Sequence, residues 1–182
     1  VEGESLRQVI RQRGPLSPLG AAEVITQVCA ALDEAHRQGV IHRDIKPDNI
    51  MVHSAIGGLR VKVLDFGSVK DKNKDAKKLT VLGTTIGSPY YMAPEQVQGQ
   101  RGDARSDVYS LAVMMFEMLT SRPPFFSEAP GDLIAMHMLQ PPPALRDFIP
   151  DIDPILERLI EAMLSKDPQV RPLMADVAQQ LK

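Results

Sequence analysis

The 182-residue chain has no tryptophan, only three tyrosines and five phenylalanines, and a single cysteine. One thiol, Cys29, excludes an internal disulfide and any zinc or iron–sulfur site built from several cysteines. An excess of either charge is missing too. Twenty-one Lys and Arg against 23 Asp and Glu leave a formal net charge of −2, so there is no electrostatic footprint for nucleic acid or an anionic membrane surface. Long hydrophobic runs are absent as well. The most apolar stretch, Leu111 to Leu119, is interrupted by Glu117 and is far too short to span a bilayer. No Gly-x-Gly-x-x-Gly occurs anywhere, and no Gly-x-x-x-x-Gly-Lys-Ser/Thr, which excludes a P-loop NTPase. No signal peptide or basic amphipathic leader opens the sequence. It begins at Val1 rather than Met and ends at Lys182 inside an apparent helix, so we expect a piece of something longer.

What is present suits a soluble globular domain with a real core: 43% apolar and 24% charged residues over about one domain's length. Gly14-Pro15-Leu16-Ser17-Pro18 reads as a turn. Beyond it, Ala21, Ile25, Val28, Leu32 and Ala35 recur at helical spacing, with Gly39 as the stop, and predict a helix over Ala21 to Gln38. Cys29 falls on or beside that stripe and reads as a small buried thiol. Ile50 to His53 and Leu59 to Leu64 are short β-branched runs flanking a Ser-Ala-Ile-Gly-Gly turn, a predicted hairpin. Lys70 to Lys78, with five Lys and two Asp, reads as a solvated loop. Ser106 to Thr120 predicts a helix apolar almost all round, hence a buried central one. Ten of the 15 prolines fall after it and separate three further helices, at Asp132 to Leu139, Ile155 to Ser165 and Met174 to Leu181. The expected fold is mainly α: a helical bundle around a buried central helix, with a small two-stranded β-ribbon. No linker divides it.

Two strings carry the chemistry. His42-Arg43-Asp44-Ile45-Lys46-Pro47-Asp48-Asn49 follows the first long helix, and Asp65-Phe66-Gly67 follows the second strand. A third, Ala93-Pro94-Glu95, follows the polar loop. Each alone is a weak signal. In this order, and each in its local setting, they resemble the eukaryotic-like Ser/Thr protein kinases, especially the bacterial, Hanks-type members. The resemblance spans the whole chain. Val1-Glu2-Gly3-Glu4-Ser5-Leu6 looks like the end of the hinge, and Gly87 to Gln96 like the end of the activation segment. Asp103 to Leu111 looks like the start of the central helix, and Asp167-Pro168 with Arg171-Pro172 like the closing motif.

The resemblance implies a division of labour. Phosphoryl transfer proceeds through a loose transition state, so catalysis is positioning plus charge neutralisation. Asp44 would accept a hydrogen bond from the substrate hydroxyl and aim it. Lys46, the residue of Ser/Thr rather than tyrosine kinases, would face the γ-phosphate as a point charge. Asn49 and Asp65 would offer hard oxygen ligands to Mg²⁺ or Mn²⁺. Val1, Met51 and Asp65 would border ATP, with Met114 and Met118 beneath Met51 or simply part of the core. Gly67 permits the backbone after Phe66. Ser88, where the family usually has Thr, would bridge Asp44 and Lys46 beside the protein substrate. Thr80, Thr84 and Thr85 are candidate phosphosites, whose added charge would pair with Arg43, or ordinary loop residues. Leu82 stands where many bacterial relatives have a second Thr. His42 and Phe66 would belong to a hydrophobic spine. Asp107 would anchor the catalytic-loop backbone, or serve as a helix N-terminal charge. Glu95 and Arg171 would form a buried pair.

The family's first lobe, with its glycine-rich loop, its phosphate-binding Lys and that residue's Glu partner, has no counterpart here. The resemblance therefore implies the helical C-terminal lobe of a two-lobed kinase, residues 1–182. Its partners would be the N-terminal lobe of the same parent and protein substrates bearing Ser or Thr. The expected location is cytoplasmic, with any membrane anchor outside this chain. On this reading the chain alone transfers little or no phosphate. Two alternatives stay open: a kinase-derived binding or scaffold module docking near Asp132 to Leu139, and a small-molecule phosphotransferase.

Overall fold

A computed structural model describes residues 3–55, 58–66 and 89–181. Strand β1 (Glu4–Ser5) runs into helix α1 (Leu6–Arg13), and α2 (Pro18–Arg37) follows. A 3-10 turn at Pro47–Asn49 leads into β2 (Ile50–Ala55) and β3 (Gly58–Val63). After a second such turn at Pro89–Tyr91 come α3 (Pro94–Val97), α4 (Ala104–Thr120), α5 (Pro130–Leu139), α6 (Pro154–Met163) and α7 (Met174–Gln180). The described residues are mainly helical, with one small sheet.

The β-ribbon differs from the sequence expectation by one strand. β2 and β3 pair antiparallel with Ile50 opposite Val63 and Val52 opposite Val61. β1 adds to the free edge of β2, Glu4 opposite Val52 and Ser5 opposite Met51. Two residues carry no periodicity, so β1 is invisible to a pattern search. Gly3 makes the approach possible: its φ is +122°, and a Cβ there would lie 2.7 Å from the Val52 carbonyl oxygen. Ser5 then caps α1. Its Oγ accepts from the Gln8 amide at 3.2 Å, and the Gln8 side chain accepts from the Ser5 amide at 2.8 Å.

Helix boundaries move by a few residues, and at α2 and α4 the reason is capping. α2 begins at Pro18 because Ser17 accepts from the Gly20 amide at 3.1 Å and Pro18 occupies the first helical position. The Ser-Pro pair read as a turn is thus the helix start. α4 begins at Ala104 because Asp103 accepts from the Arg105 amide at 2.8 Å. Ser106 is the third helical residue, closing the box by accepting from the Asp103 amide at 3.2 Å. α5 and α6 likewise start on prolines, Pro130 and Pro154. α6 ends at Met163, short of Ser165, and α7 at Gln180.

Every residue of α4 from Ser106 to Leu119 is buried. Around it pack the buried stripe of α2 (Ala21, Val24, Ile25, Val28, Cys29, Leu32), Leu159, Ile160 and Met163 of α6, and Val177 of α7. Cys29 is wholly buried, and burial together with nearby Asp33 pushes its thiol up to about 12, so it is inert packing. Among the described residues no helix is long and apolar enough to cross a membrane.

Candidate active site

The loop between α2 and β2 carries the first string, and one buried carboxylate shapes it. Asp107 of α4 accepts from the His42 amide at 2.9 Å and the Arg43 amide at 2.7 Å, and its Oδ2 lies 2.7 Å from His36 Nε2. Arg43 takes a φ of 66°, a left-handed conformation uncommon for a side-chain-bearing residue. Two amides gripped by one carboxylate, and the Gln96 side chain donating to the Arg43 carbonyl at 3.2 Å, offset that cost. Arg43 Nε donates to the Arg101 carbonyl at 3.1 Å.

His42 fixes the next residue. Its Nε2 lies 2.8 Å from the Leu64 carbonyl oxygen, so Nε2 carries the proton and donates. Nδ1 is then the acceptor that the Asp44 amide meets at 3.3 Å. One ring thereby joins the His42–Asn49 loop to the end of β3. The Leu64 amide, donating to the Asn49 carbonyl at 2.8 Å, makes the same join from the other side and places Asp65 next to it in the chain.

Burial alternates along the loop. Ile45 and Pro47 are buried, and Asp44 between strand and helix is exposed. The Asp44 carboxylate is held, not free: Lys46 Nζ lies 2.7 Å from Oδ2, and the Asn49 amide nitrogen donates to the Asp44 carbonyl at 2.7 Å and to Oδ2 at 3.2 Å. Asp44, Lys46 and Asn49 are therefore brought together. With its amide nitrogen committed to Asp44, Asn49 offers its amide oxygen to a cation. That oxygen and the Asp65 carboxylate are hard donors of the kind Mg²⁺ or Mn²⁺ takes, and they would hold such an ion with phosphate oxygens and water completing its shell. Asp65 has a φ of 60°, a second left-handed position beside this site. Among the described residues no cluster of three or more His, Cys, Asp or Glu could hold a metal without such help.

Of the inferred spine, His42 is buried and Phe66 is not. Phe66 meets His42 edge-on at a centroid distance of 5.0 Å but stays 40% exposed, because its ring caps the imidazole rather than entering the core. Met51 is half-buried, and Met114 and Met118 are wholly buried in the core around α4. Arg171 is wholly buried, its Nη1 and Nη2 donating to the two Glu95 oxygens at 2.7 and 2.9 Å. Ser106 Oγ also donates to Glu95, at 2.6 Å. Burial works against the Glu95 charge, but Arg171 and Ser106 outweigh it and hold the carboxyl below its usual range. Val1, Gly67, Thr80, Thr84, Thr85, Ser88 and the 70–78 segment lie outside the described residues.

Sequence reasoning passed over Arg7, Asp48 and Tyr91, which meet beside this loop. It noticed Glu117 only as an interruption of an apolar run. A cavity of about 330 Å³ lies elsewhere, between Phe116, the Pro142–Arg146 segment and α6; no residue of the His42–Asn49 loop borders it.

Residues 1–181 match the protein kinase domain family. The chain belongs to that family. It is 40% identical over 181 residues to the serine/threonine-protein kinase pkn3 of Myxococcus xanthus, covering 97% of this chain and 33% of that protein. It is 38% identical over 173 residues to the serine/threonine-protein kinase PknB of Mycobacterium tuberculosis, covering 94% of this chain and 27% of that protein. The chain thus spans about a quarter to a third of the length of the curated relatives it matches. A crystal structure of Rad53 1-466 in complex with AMP-PNP superposes with a TM-score of 0.79 at 25% identity, over 99% of this chain and 44% of that one. The Rad53 kinase domain and SCD2 in complex with AMPPNP gives a TM-score of 0.77 at 23% identity, over 100% of this chain and 66% of that one. The relatives are bacterial Ser/Thr kinases, and the helical architecture around a buried α4 is that of a kinase domain.

Proposed function

We propose that this chain is the C-terminal, substrate-binding lobe of a two-lobed Ser/Thr protein kinase that transfers the γ-phosphate of ATP to protein hydroxyls. The observation that carries this reading is the Asp44 carboxylate, held by Lys46 and Asn49 on a loop whose backbone Asp107 grips. Asp44 Oδ accepts the hydrogen bond of the incoming Ser or Thr hydroxyl and aims its oxygen at phosphorus. Lys46 shifts from Asp44 toward the transferring phosphoryl oxygens and spreads their charge. Bound with ATP, Mg²⁺ or Mn²⁺ would neutralise phosphate charge, and Asn49 and Asp65 would hold it. Val1 and Met51 border the nucleotide, and Ser88 the substrate. Thr80, Thr84 and Thr85 are the acceptors whose phosphorylation would pair with Arg43. A cytoplasmic location follows from the need for ATP.

ATP in this reading rests on one lobe and needs a second above it. The isolated chain is therefore expected to transfer little or no phosphate, whereas the natural polypeptide containing it transfers phosphate to protein Ser or Thr. Labelled-ATP assays on both, with the intact mass of the natural polypeptide, test this. Robust Asp44-dependent transfer by the isolated chain would contradict the lobe assignment. A natural species of 20.1 kDa, the mass of the chain itself, without transfer, would favour a binding module. Phosphate on a metabolite instead of protein would contradict the substrate class.

A further inference from the structure

The segment between α6 and α7 carries a lysine in an unfavourable place for a charge. Lys166 is half-buried, and its hydrogen-bond partners among the described residues are neutral oxygens. Nζ donates to the Met136 carbonyl at 3.3 Å and to the Tyr109 hydroxyl at 3.5 Å. It also lies 4.2 Å from the centroid of the Phe125 ring and 5.7 Å from that of Tyr109. Both rings are buried. Two aromatic faces return part of what the ammonium loses with its water, and no more than part. Asp167, the next residue, turns its carboxylate to the Gln169 amide at 2.9 Å instead.

The charge that bears on it is a second cation. Arg171 crosses the same Tyr109 ring, its Cζ 4.9 Å from the centroid, and gives its own nitrogens to Glu95. From α5 the facing titratable group is His137, kept neutral by burial, with Nδ1 2.9 Å from the Tyr109 hydroxyl. From α4 it is Tyr109, whose hydroxyl burial pushes up, so it stays protonated. Burial first, and then the Arg171 charge, lower the Lys166 pKa from 10.5 to about 8. At pH 7.5 about a quarter of Lys166 is then free amine, against about one part in a thousand for an ordinary lysine. A lysine desolvated beside another cation is an activated nucleophile.

The same ammonium fastens a helix. Met136 lies in the last turn of α5, the negative end of the helix, and its carbonyl also accepts from the Gln140 amide at 3.0 Å. Lys166 and the contact between His137 and Tyr109 tie that turn to the rest of the lobe, while α5 packs on α3 and the Pro89–Tyr91 turn. We propose that Lys166 is an acylation site for a small neutral acyl group, acetyl from an activated donor, and that its charge latches the end of α5, so that acetylation releases it. Nζ attacks the acetyl carbonyl carbon and the N–C bond forms. The C–S bond of a thioester, or the C–O bond of an acyl phosphate, breaks, and thiolate or phosphate leaves with the electron pair. The proton lost from nitrogen goes to water. The amide product carries no charge and keeps one N–H. No residue of the His42–Asn49 loop takes part, so the outcome does not depend on whether the full protein transfers phosphate.

The test uses the natural full-length protein, incubated with acetyl-CoA in one arm and acetyl phosphate in the other, and two readouts. The first is site-resolved acetylation by peptide mass spectrometry, with exposed Lys62 of β3 as the reference amine. A less basic amine is a weaker nucleophile and half-burial slows access, so the advantage of Lys166 over Lys62 at pH 7.5 is expected to be about tenfold in at least one arm. Its rate should level off above pH 8, where that of Lys62 still climbs. The arm that reacts identifies the donor. The second readout is amide hydrogen exchange over residues 133–139, with α4 as internal reference. Exchange there should quicken by about tenfold on acetylation and in Lys166→Gln, with α4 unchanged. Lys166→Arg keeps the charge and should exchange as wild type does. Lys166 acetylated no faster than Lys62 in both arms, or with a rate still climbing past pH 9, overturns the proposal. So does unchanged exchange in α5 after acetylation, or equal quickening in Lys166→Arg. If Lys166→Gln does not fold, wild-type protein acetylated after folding decides by the same exchange criterion.

Discussion

Arg171 has no exposed surface, and its guanidinium is filled by Glu95 on one side and by the Ser165 and Lys166 carbonyls on the other. Removing it leaves the Glu95 carboxylate buried with only Ser106. Arg171→Ala is expected to cost about 3–5 kcal/mol, whereas replacing both partners by apolar residues of similar size should cost less. Urea denaturation of the single and double variants measures the difference. His137 gives a pH signature. It is buried beside Tyr109 Oη at 2.9 Å and the Phe125 ring, facing Lys166. Burial first, and then the Lys166 charge, lower its pKa from 6.5 to about 4. Between those two values the unfolded chain binds a proton that the folded one refuses, so stability rises with pH through that window. The contribution is at most about 3 kcal/mol. Denaturation midpoints measured from pH 4 to 7 should climb, and His137→Leu should flatten the climb.

Single elements were legible where side chains repeat and obscure where one backbone contact decides. The stripe of α2 and the all-round apolarity of α4 are periodic and were readable. The start of α2 was not, because Ser17-Pro18 is equally good chemistry for a turn and for a cap and first helical residue. The structure uses it as a cap. Ser17→Ala is accordingly expected to destabilise by about 0.5–2 kcal/mol, measured by thermal or urea unfolding, an effect a turn serine would not show. Strand β1 depends on Gly3 passing close to Val52, a relation between residues far apart in sequence. Gly3→Ala should therefore disturb the β1–β2 pairing and speed amide exchange at Glu4 and Ser5, with α4 unaffected.

For the whole molecule, the sequence strings name Asp44, Lys46, Asn49 and Asp65, because those side chains are their own signal. What surrounds them was legible only in part. Asp107 could be read as an anchor or as a helix-end charge, and the structure shows it gripping two loop amides. The Arg7–Glu117–Tyr91–Asp48 cluster gave one faint sign, a charge inside an apolar run. Its meaning depends on four segments meeting, which no local pattern encodes. The common logic is that α4 is a buried post whose few polar residues fix the chain around it, Asp107 gripping the loop that carries Asp44. The most direct test of the central reading, that Asp44 carries the transfer, is phosphate transfer to protein Ser or Thr by the natural full-length polypeptide, wild type against Asp44→Asn, with folding checked by unfolding midpoint. A loss of about 100-fold or more with the midpoint retained is predicted. Transfer at the wild-type rate by Asp44→Asn would contradict it.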